Sequence, residues 1–544
     1  MIYRELPVKL ILCIIISLRW QLCLAQKCKA LRGATSIGIY QCQGLQTLSE
    51  VEEELTPSWR GFVVLNRKEE FFDLTAQSGE QLEQQQTKWM QITDLDLSHS
   101  GALNLDDEGF SAFTSLMHLN ISGAQLSELK PRYFAVNSKL QQLDASHNGF
   151  QILKEENFQR LLQLKMANFS FNSIRRVEPD AFAGLTQLEY LNLDSNALTN
   201  ASVGACSSLR ELTLADNDIK KLSSYDFVGL PQLRHLRLTS NSIQSIANGA
   251  FQPLSKLIIL NLAGNSLRQL SKETFCGLER ASLQYLDLSS NDLTTLVAEL
   301  FAPLGKLQIL NLGSNQLSSP TPALFAGLPL LRKLYMYEND MDALLANTFA
   351  NLTALDTLDV SGNNIQKLDA DVFGTTSLPR FRKLLIKTNN MKRLHPLAFA
   401  ALPYLEYLSI GFNELTSLDK RLFEPLRHLR KLHLGNNLIE EIPFDVLDIF
   451  NELTELLLDN NKLSFLPELN ATHFPNLRKF SLEGNPWQCQ CLDELFDWLN
   501  AKKVEYFRPQ SPFFQGEKSL CVVSDQDSCI RDLALVKGVG ILEN

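Results

Sequence analysis

The sequence predicts an α/β-type solenoid: a curved horseshoe with a parallel β-sheet on its concave side and disulfide-stapled caps at its ends. Three observations predict it. The pattern L-x-x-L-x-L-x-x-N returns about every 24 residues between Ile92 and Asn485, as in LEYLNLDSN (Leu188–Asn196) and LQILNLGSN (Leu307–Asn315). A phenylalanine recurs ten residues after the asparagine position. The remaining regularity is in cysteine, with Cys28 and Cys42 ahead of the pattern and Cys489, Cys491, Cys521 and Cys529 behind it.

Residues 1–26 read as a secretory leader. Arg4 and Lys9 precede the apolar run LILCIIISL, and Cys23, Leu24 and Ala25 offer a cleavage site. A run that short, closed by Arg19, is a poor membrane span, and no later segment holds 18 uncharged apolar residues. The expected product is secreted, in the extracellular space or matrix. Residues 27–91 read as an N-terminal cap region with a Cys28–Cys42 bridge and little internal pattern.

Residues 92–485 divide into about seventeen units, from the one at Ile92 to the one at Leu477. Apolar unit positions 4 and 6 flank a polar position 5, the period of a short strand with one buried face. The asparagine at position 9 has an amide that can donate to and accept from backbone where the chain turns inward. The phenylalanine at position 19, from Phe110 to Phe423, fills the far side of each coil. Cys206 takes that slot in a unit shortened to 21 residues. A single coil cannot bury its own apolar edges, so the array is one cooperative body needing caps.

The units resemble the leucine-rich repeat family, and the motif covers most of residues 92–485. After the last unit, N-P-W-Q-C-Q-C (Asn485–Cys491) resembles the cysteine-rich C-terminal flank of extracellular members such as Slit and the Toll ectodomains. Residues 486–532 form this cap, and 533–544 a tail. Spacing alone allows three pairings of the four cysteines. The resemblance implies Cys489–Cys521 and Cys491–Cys529. LDELFDWLN would be a helix covering the last coil.

Composition narrows the function. The 544 residues are 45% hydrophobic and 21% charged, with 51 basic against 61 acidic side chains and a net charge of −10. That balance excludes a disordered chain, and no nucleic-acid partner is expected. No catalytic motif occurs, so neither an enzyme nor a cofactor is expected. His99 and His147, two coils apart at position 8, lack further metal ligands at matching spacing. Cys206 and Cys276, three coils apart, are too far from each other to pair, roughly 14 Å at the strand spacing.

Function then falls to exposed unit positions 2, 3, 5, 7 and 8. Position 3 runs Tyr190, Glu211, His235, Ile259, Tyr285, Ile309, with Ile258 beside it, and apolar residues there serve no core. Arg332, Lys333, Arg382, Lys383, Lys387, Arg430, Lys431, Arg478 and Lys479 form a basic strip, interrupted by Asp356 and Asp359. Glycosylation sequons occur at Asn120, Asn168, Asn200, Asn351 and Asn470, the first two at position 5. Sugars on those two would shield the first third of the concave face and steer a ligand toward later coils. The leading expectation is recognition of an extracellular or cell-surface protein, in adhesion, guidance or innate immunity. The alternatives are a matrix component binding an anionic glycosaminoglycan through the basic strip, and a soluble decoy or co-receptor of a Toll-like system.

Overall fold

The computed structural model describes residues 28–30, 38–53, 59–65, 71–74, 89–467, 469–470, 472–506 and 521–522. The expected leader, Cys529 and the tail 533–544 lie outside the described residues. The chain divides into two units, Met1–Ile219 with Tyr225–Arg237, and Lys220–Ser224 with Leu238–Asn544. Each is a leucine-rich solenoid whose main ladder takes one parallel strand per coil, most of them three residues long; shorter strands such as Ile152–Leu153 and Arg176–Val177 pair in parallel outside that ladder.

In the first unit the strands Asp94–His99, His118–Asn120, Gln142–Asp144, Met166–Asn168, Tyr190–Asn192, Glu211–Thr213 and His235–Arg237 pair in parallel, each position facing its equivalent in the next coil. The residues ahead of Ile92 do more than cap it. Gly61–Leu65 pairs in parallel with Asp94–His99, and Ile39–Gln43 pairs in parallel with Gly61–Leu65. The ladder thus begins two strands before the repeat motif does. Those strands (IYQCQ and GFVVL) lack the asparagine that marks a unit in sequence. Among the described strands only Cys28–Ala30 runs antiparallel, closing the edge with the Cys28–Cys42 disulfide.

In the second unit the ladder runs from Ile259–Asn261 through Tyr285–Asp287, Ile309–Asn311, Lys333–Tyr335, Thr357–Asp359, Lys383–Leu385, Tyr407–Ser409, Lys431–His433 and Glu455–Leu457 to Lys479–Ser481. The last edge is closed by its own chain. After the helix Cys489–Ala501, Glu505 N–H donates to Arg478 O and Phe480 N–H to Glu505 O. Leu492, Leu495, Phe496 and Leu499 of that helix are buried, and the indole N–H of buried Trp487 donates to Leu482 O at 2.7 Å. Cys489 bonds Cys521, as the family resemblance implied; Cys491 is also disulfide-bonded.

The two sequence columns carry the energetics. Asn315 donates from Nδ2 to Leu288 O, Leu312 O and Gly313 O at 3.0–3.1 Å, while its Oδ1 accepts from Leu293 N–H at 3.1 Å. Asn172 repeats the scheme in the first unit. One amide therefore stitches a turn to itself and to the preceding coil, satisfying backbone groups that no water reaches. The phenylalanines are fully buried and run ring against ring, with centroids 6.0 Å apart for Phe275 and Phe301 and 5.8 Å for Phe349 and Phe373. Cys206 is buried in its borrowed slot as a free thiol, its pKa pushed up to about 12 by burial; Cys276 is free and half-buried.

Position 8, treated as an ordinary exposed site in the sequence, is conformationally special. His147, Phe171, Ser195, Asp216, Ser240, Ser290, Ser314, Glu338, Thr388, Phe412, Asn436 and Asn460 all have φ between 51° and 58°. The chain must reverse there to present the position-9 amide inward, and the left-handed region achieves this at a steric cost for any residue with a Cβ.

Candidate functional site

In the second unit, Ile259, Tyr285 and Ile309 are register partners on three successive strands, and all three are half-buried. Their spacing is about 4.8 Å per strand, close enough for the side chains to cover one another. Ile258 stands half-buried beside the row; its carbonyl accepts from Tyr285 N–H at 3.1 Å. The Tyr285 hydroxyl donates to Asp287 Oδ2 at 2.7 Å, and buried Asp287 also accepts from Asn311 Nδ2 at 3.2 Å. Burial, then the hydrogen bond to the Asp287 carboxylate, raises the pKa of this phenol above its usual value. A ring held at both ends is pre-organised, so little side-chain entropy is lost when something packs on it.

Lys333 ends the row as the register partner of Ile309, but two tyrosines missed in the sequence stand beside it. Tyr335 and Tyr337 sit at positions 5 and 7 of the next coil, both half-buried. Tyr337 lies over Gly313, where an added Cβ would fall 2.5 Å from its ring. The signal was present as tyrosine at two outward positions of one unit, with glycine at position 7 of the unit before.

The other members of the expected row, Tyr190 and His235, belong to the first unit with Glu211 between them. His235 Nδ1 and Arg237 Nη2 both lie 3.5 Å from Glu211 carboxylate oxygens, so this end is polar. Burial, aided by Glu211, raises the Tyr190 pKa.

The family model described as leucine rich repeat matches residues 91–150, 138–198, 199–243, 231–293, 281–341 and 379–439, more than half of the chain. The chain belongs to the leucine-rich repeat family. It is 38% identical over 77 residues to mouse chondroadherin, a match spanning 14% of this chain and 21% of chondroadherin. Among solved structures it is similar to a leucine-rich repeat protein of Leptospira interrogans, at 26% identity with a TM-score of 0.61 over 73% of this chain and 96% of that one. It also superposes on Toll from the Drosophila Toll–Spatzle complex, at 20% identity with a TM-score of 0.65 over 90% of this chain and 70% of that one.

Within this leucine-rich repeat ladder the basic strip is less basic than its sequence suggested. Glu406 lies 3.3 Å from Arg382 and 3.6 Å from Arg430, and Glu452 is 3.8 Å from Arg430. Glu455 lies 3.1 Å from Lys431 and 3.2 Å from Lys479. Glu406 and Glu455 occupy unit positions 2 and 3 one coil away, and Glu452 directly precedes its unit, a neighbourhood that reading along the chain does not reveal. Burial raises the Glu455 pKa, but Lys431 and Lys479, with His433, outweigh it and hold the carboxylate below its usual range. Arg382 and Lys383 also cover the rings of Tyr404 and Tyr407 at 5.3 and 5.0 Å. Arg332, Lys333, Lys387 and Arg478 have no salt-bridge partner among the described residues.

Asn200, Asn351 and Asn470 are exposed, whereas Asn120 and Asn168 are half-buried. The last two have a structural reason for their sequence. Asn120 Oδ1 accepts from Ser122 N–H at 3.0 Å and Asn168 Oδ1 from Ser170 N–H at 3.1 Å, and Asp96 and Asp144 make the same turn at 2.9 and 3.0 Å. Position 5 therefore favours Asn or Asp with a small residue two further on, which writes N-x-S without reference to sugar. His147, at position 8, stacks on exposed Phe171 with centroids 4.3 Å apart. No helix among the described residues is long and apolar enough to cross a membrane.

Proposed function

We propose that this chain is an extracellular recognition protein that binds a protein partner on the strand face of its second unit. The observation that carries the reading is the row Ile259, Tyr285 and Ile309, in register on three successive strands, with Tyr335 and Tyr337 at other outward positions of the following coil: apolar and aromatic side chains on a face where folding does not require them. Binding energy concentrates in a few such anchors inside a polar rim. The ring of Tyr285, fixed by Asp287, supplies a rigid centre. One solved structure of matching fold is a Toll–Spatzle complex, which supports a protein ligand for this architecture. The matrix alternative is weaker, because Glu406, Glu452 and Glu455 pair with Arg382, Arg430, Lys431 and Lys479, four of the nine cations on which glycosaminoglycan binding would depend.

Immobilised chain should retain a protein from its native extracellular fluid, identified by mass spectrometry. Tyr285→Ala with Ile309→Ser should reduce that retention at least tenfold, with thermal unfolding little changed, as expected for truncating two anchors at about 2 kcal/mol or more each. Equal retention by the variant and the parent would move recognition away from this face.

A further inference from the structure

The first unit holds a cavity of about 530 Å³ on its strand face, lined in part by Asp94, Asp96, Asp144, Met166, Asn168 and Tyr190. That volume lies in the range of about 300–1,000 Å³ typical of sites for small ligands or single side chains with their flanks. Three features of the lining define what fits. Its walls are partly apolar, from Met166 and the ring of Tyr190 to Ile39 and Val63 at the other end. Its charged groups are three carboxylates and the imidazole of His118, with no lysine or arginine. His118 Nδ1 is 2.5 Å from Asp94 Oδ1, while Asp96 and Asp144 have no ion-pair partner among the described residues.

The carboxylates are also held in place. Asp96, Asn120, Asp144 and Asn168 are register partners on four successive strands, an alternation of acid and amide. Each spends one side-chain oxygen on the backbone N–H two residues ahead. Asn168 Nδ2 donates to the second oxygen of Asp144 at 3.1 Å. Asp96 and Asp144 are two strands apart, about 9.6 Å at the usual spacing. Alternate side chains on one face of an extended peptide are about 6.6 Å apart, and the reach of two long cationic side chains spans the difference.

We propose that this cavity is a docking site for an extended protein segment carrying two basic side chains at alternate positions, Arg-x-Arg or its lysine counterpart. The stem whose head reaches Asp144 lies against Met166 on the next strand, and the stem whose head reaches Asp96 lies against Val63, the register partner of Asp96. The site stands apart from the row in the second unit and does not depend on it.

The test uses the full chain with Ser122→Ala and Ser170→Ala, which removes both sequons in the cavity but keeps the asparagines and their turns. A fluorescent Ala-Arg-Ala-Arg-Ala peptide is titrated and its anisotropy followed. Saturable binding is expected, weakened at least tenfold by Asp96→Ser with Asp144→Ser and unchanged by Tyr285→Ala with Ile309→Ser. Serine is chosen because Ser409 and Ser481 occupy position 5 in this chain, and because asparagine would create new N-x-S sequons at both sites. Glu155→Gln with Glu156→Gln removes the same charge from exposed residues outside the cavity. Absence of saturable binding, or equal loss in the two charge-matched variants, overturns the assignment. Binding by the sequon-free chain that is blocked when sugars are present on Asn120 and Asn168 supports it, because both sugars would occupy the same cavity.

Discussion

Replacing Asn315 with alanine tests the asparagine ladder at one rung. The side chain makes four hydrogen bonds, but their losses are unequal. Leu288 O still accepts from Asn291, Leu312 O from Asn339, and Gly313 O from the Ser290 N–H, so each carbonyl retains a partner. Leu293 N–H has no other acceptor among the described residues and is buried. One orphaned buried donor costs about 1–3 kcal/mol, which dominates the effect. A long repeat array need not unfold in one step, so a melting temperature averages the damage over many coils. Native-state hydrogen exchange reads it locally. The Leu293 amide should exchange about 5–150-fold faster in the variant, at roughly tenfold per 1.4 kcal/mol, while amides near Asn461 keep their rates. The control is Ser314→Gly. Ser314 is half-buried with φ 51°, and its hydroxyl donates to Glu338 at 2.7 Å in an exposed bond. Glycine loses that bond but removes the left-handed penalty, so the two effects should nearly cancel. An unchanged Leu293 exchange rate in Asn315→Ala would refute the claim that this amide satisfies the turn.

Thr388 is a β-branched residue at φ 55° with an exposed side chain, and Thr388→Gly should stabilise its coil by about 1 kcal/mol, read by local exchange or denaturant unfolding. Loss of stability there would mean that Thr388 makes compensating contacts. His433 has its pKa lowered by burial against the countering pull of Glu455, so the unfolded chain binds its proton first as pH falls. Its contribution is therefore fully present above its ordinary value of 6.5 and is lost progressively below it. His433→Gln should flatten the stability profile just below pH 6.5, and an unaltered profile would count against a neutral, half-buried imidazole. A glycan introduced at Asn261 through Ala263→Thr should block the partner of the second unit by bulk, since Asn261 is half-buried on the same face; undiminished binding would place the partner elsewhere. Peptide mapping of secreted protein should show Cys489, Cys491, Cys521 and Cys529 all oxidised, and a free thiol among them in folded material would contradict the cap.

The solenoid is legible along the chain because its constraints are local and repeat. Each coil needs two leucines on one strand face, an amide at the turn and a ring on the far side, and each of those is a residue type at a fixed spacing. The same logic made Ile259, Tyr285 and Ile309 legible as a row, since parallel in-register pairing places equal unit positions side by side. Tertiary structure decided what the repeat does not encode by type. The strands Ile39–Gln43 and Gly61–Leu65 join the ladder through backbone pairing without the asparagine motif. Position 8 is left-handed in serine, phenylalanine and threonine alike, because the turn is imposed by the amide beside it rather than by its own side chain. Pairing between coils set Glu406 and Glu455 against Arg382, Lys431 and Lys479, compensating across the coils part of a strip that reads as basic along the chain. In the first unit it left Asp96 and Asp144 uncompensated in a cavity. Charge balance on a stacked sheet depends on neighbours about 24 residues away, so composition read along the sequence could identify the charges but not their partners.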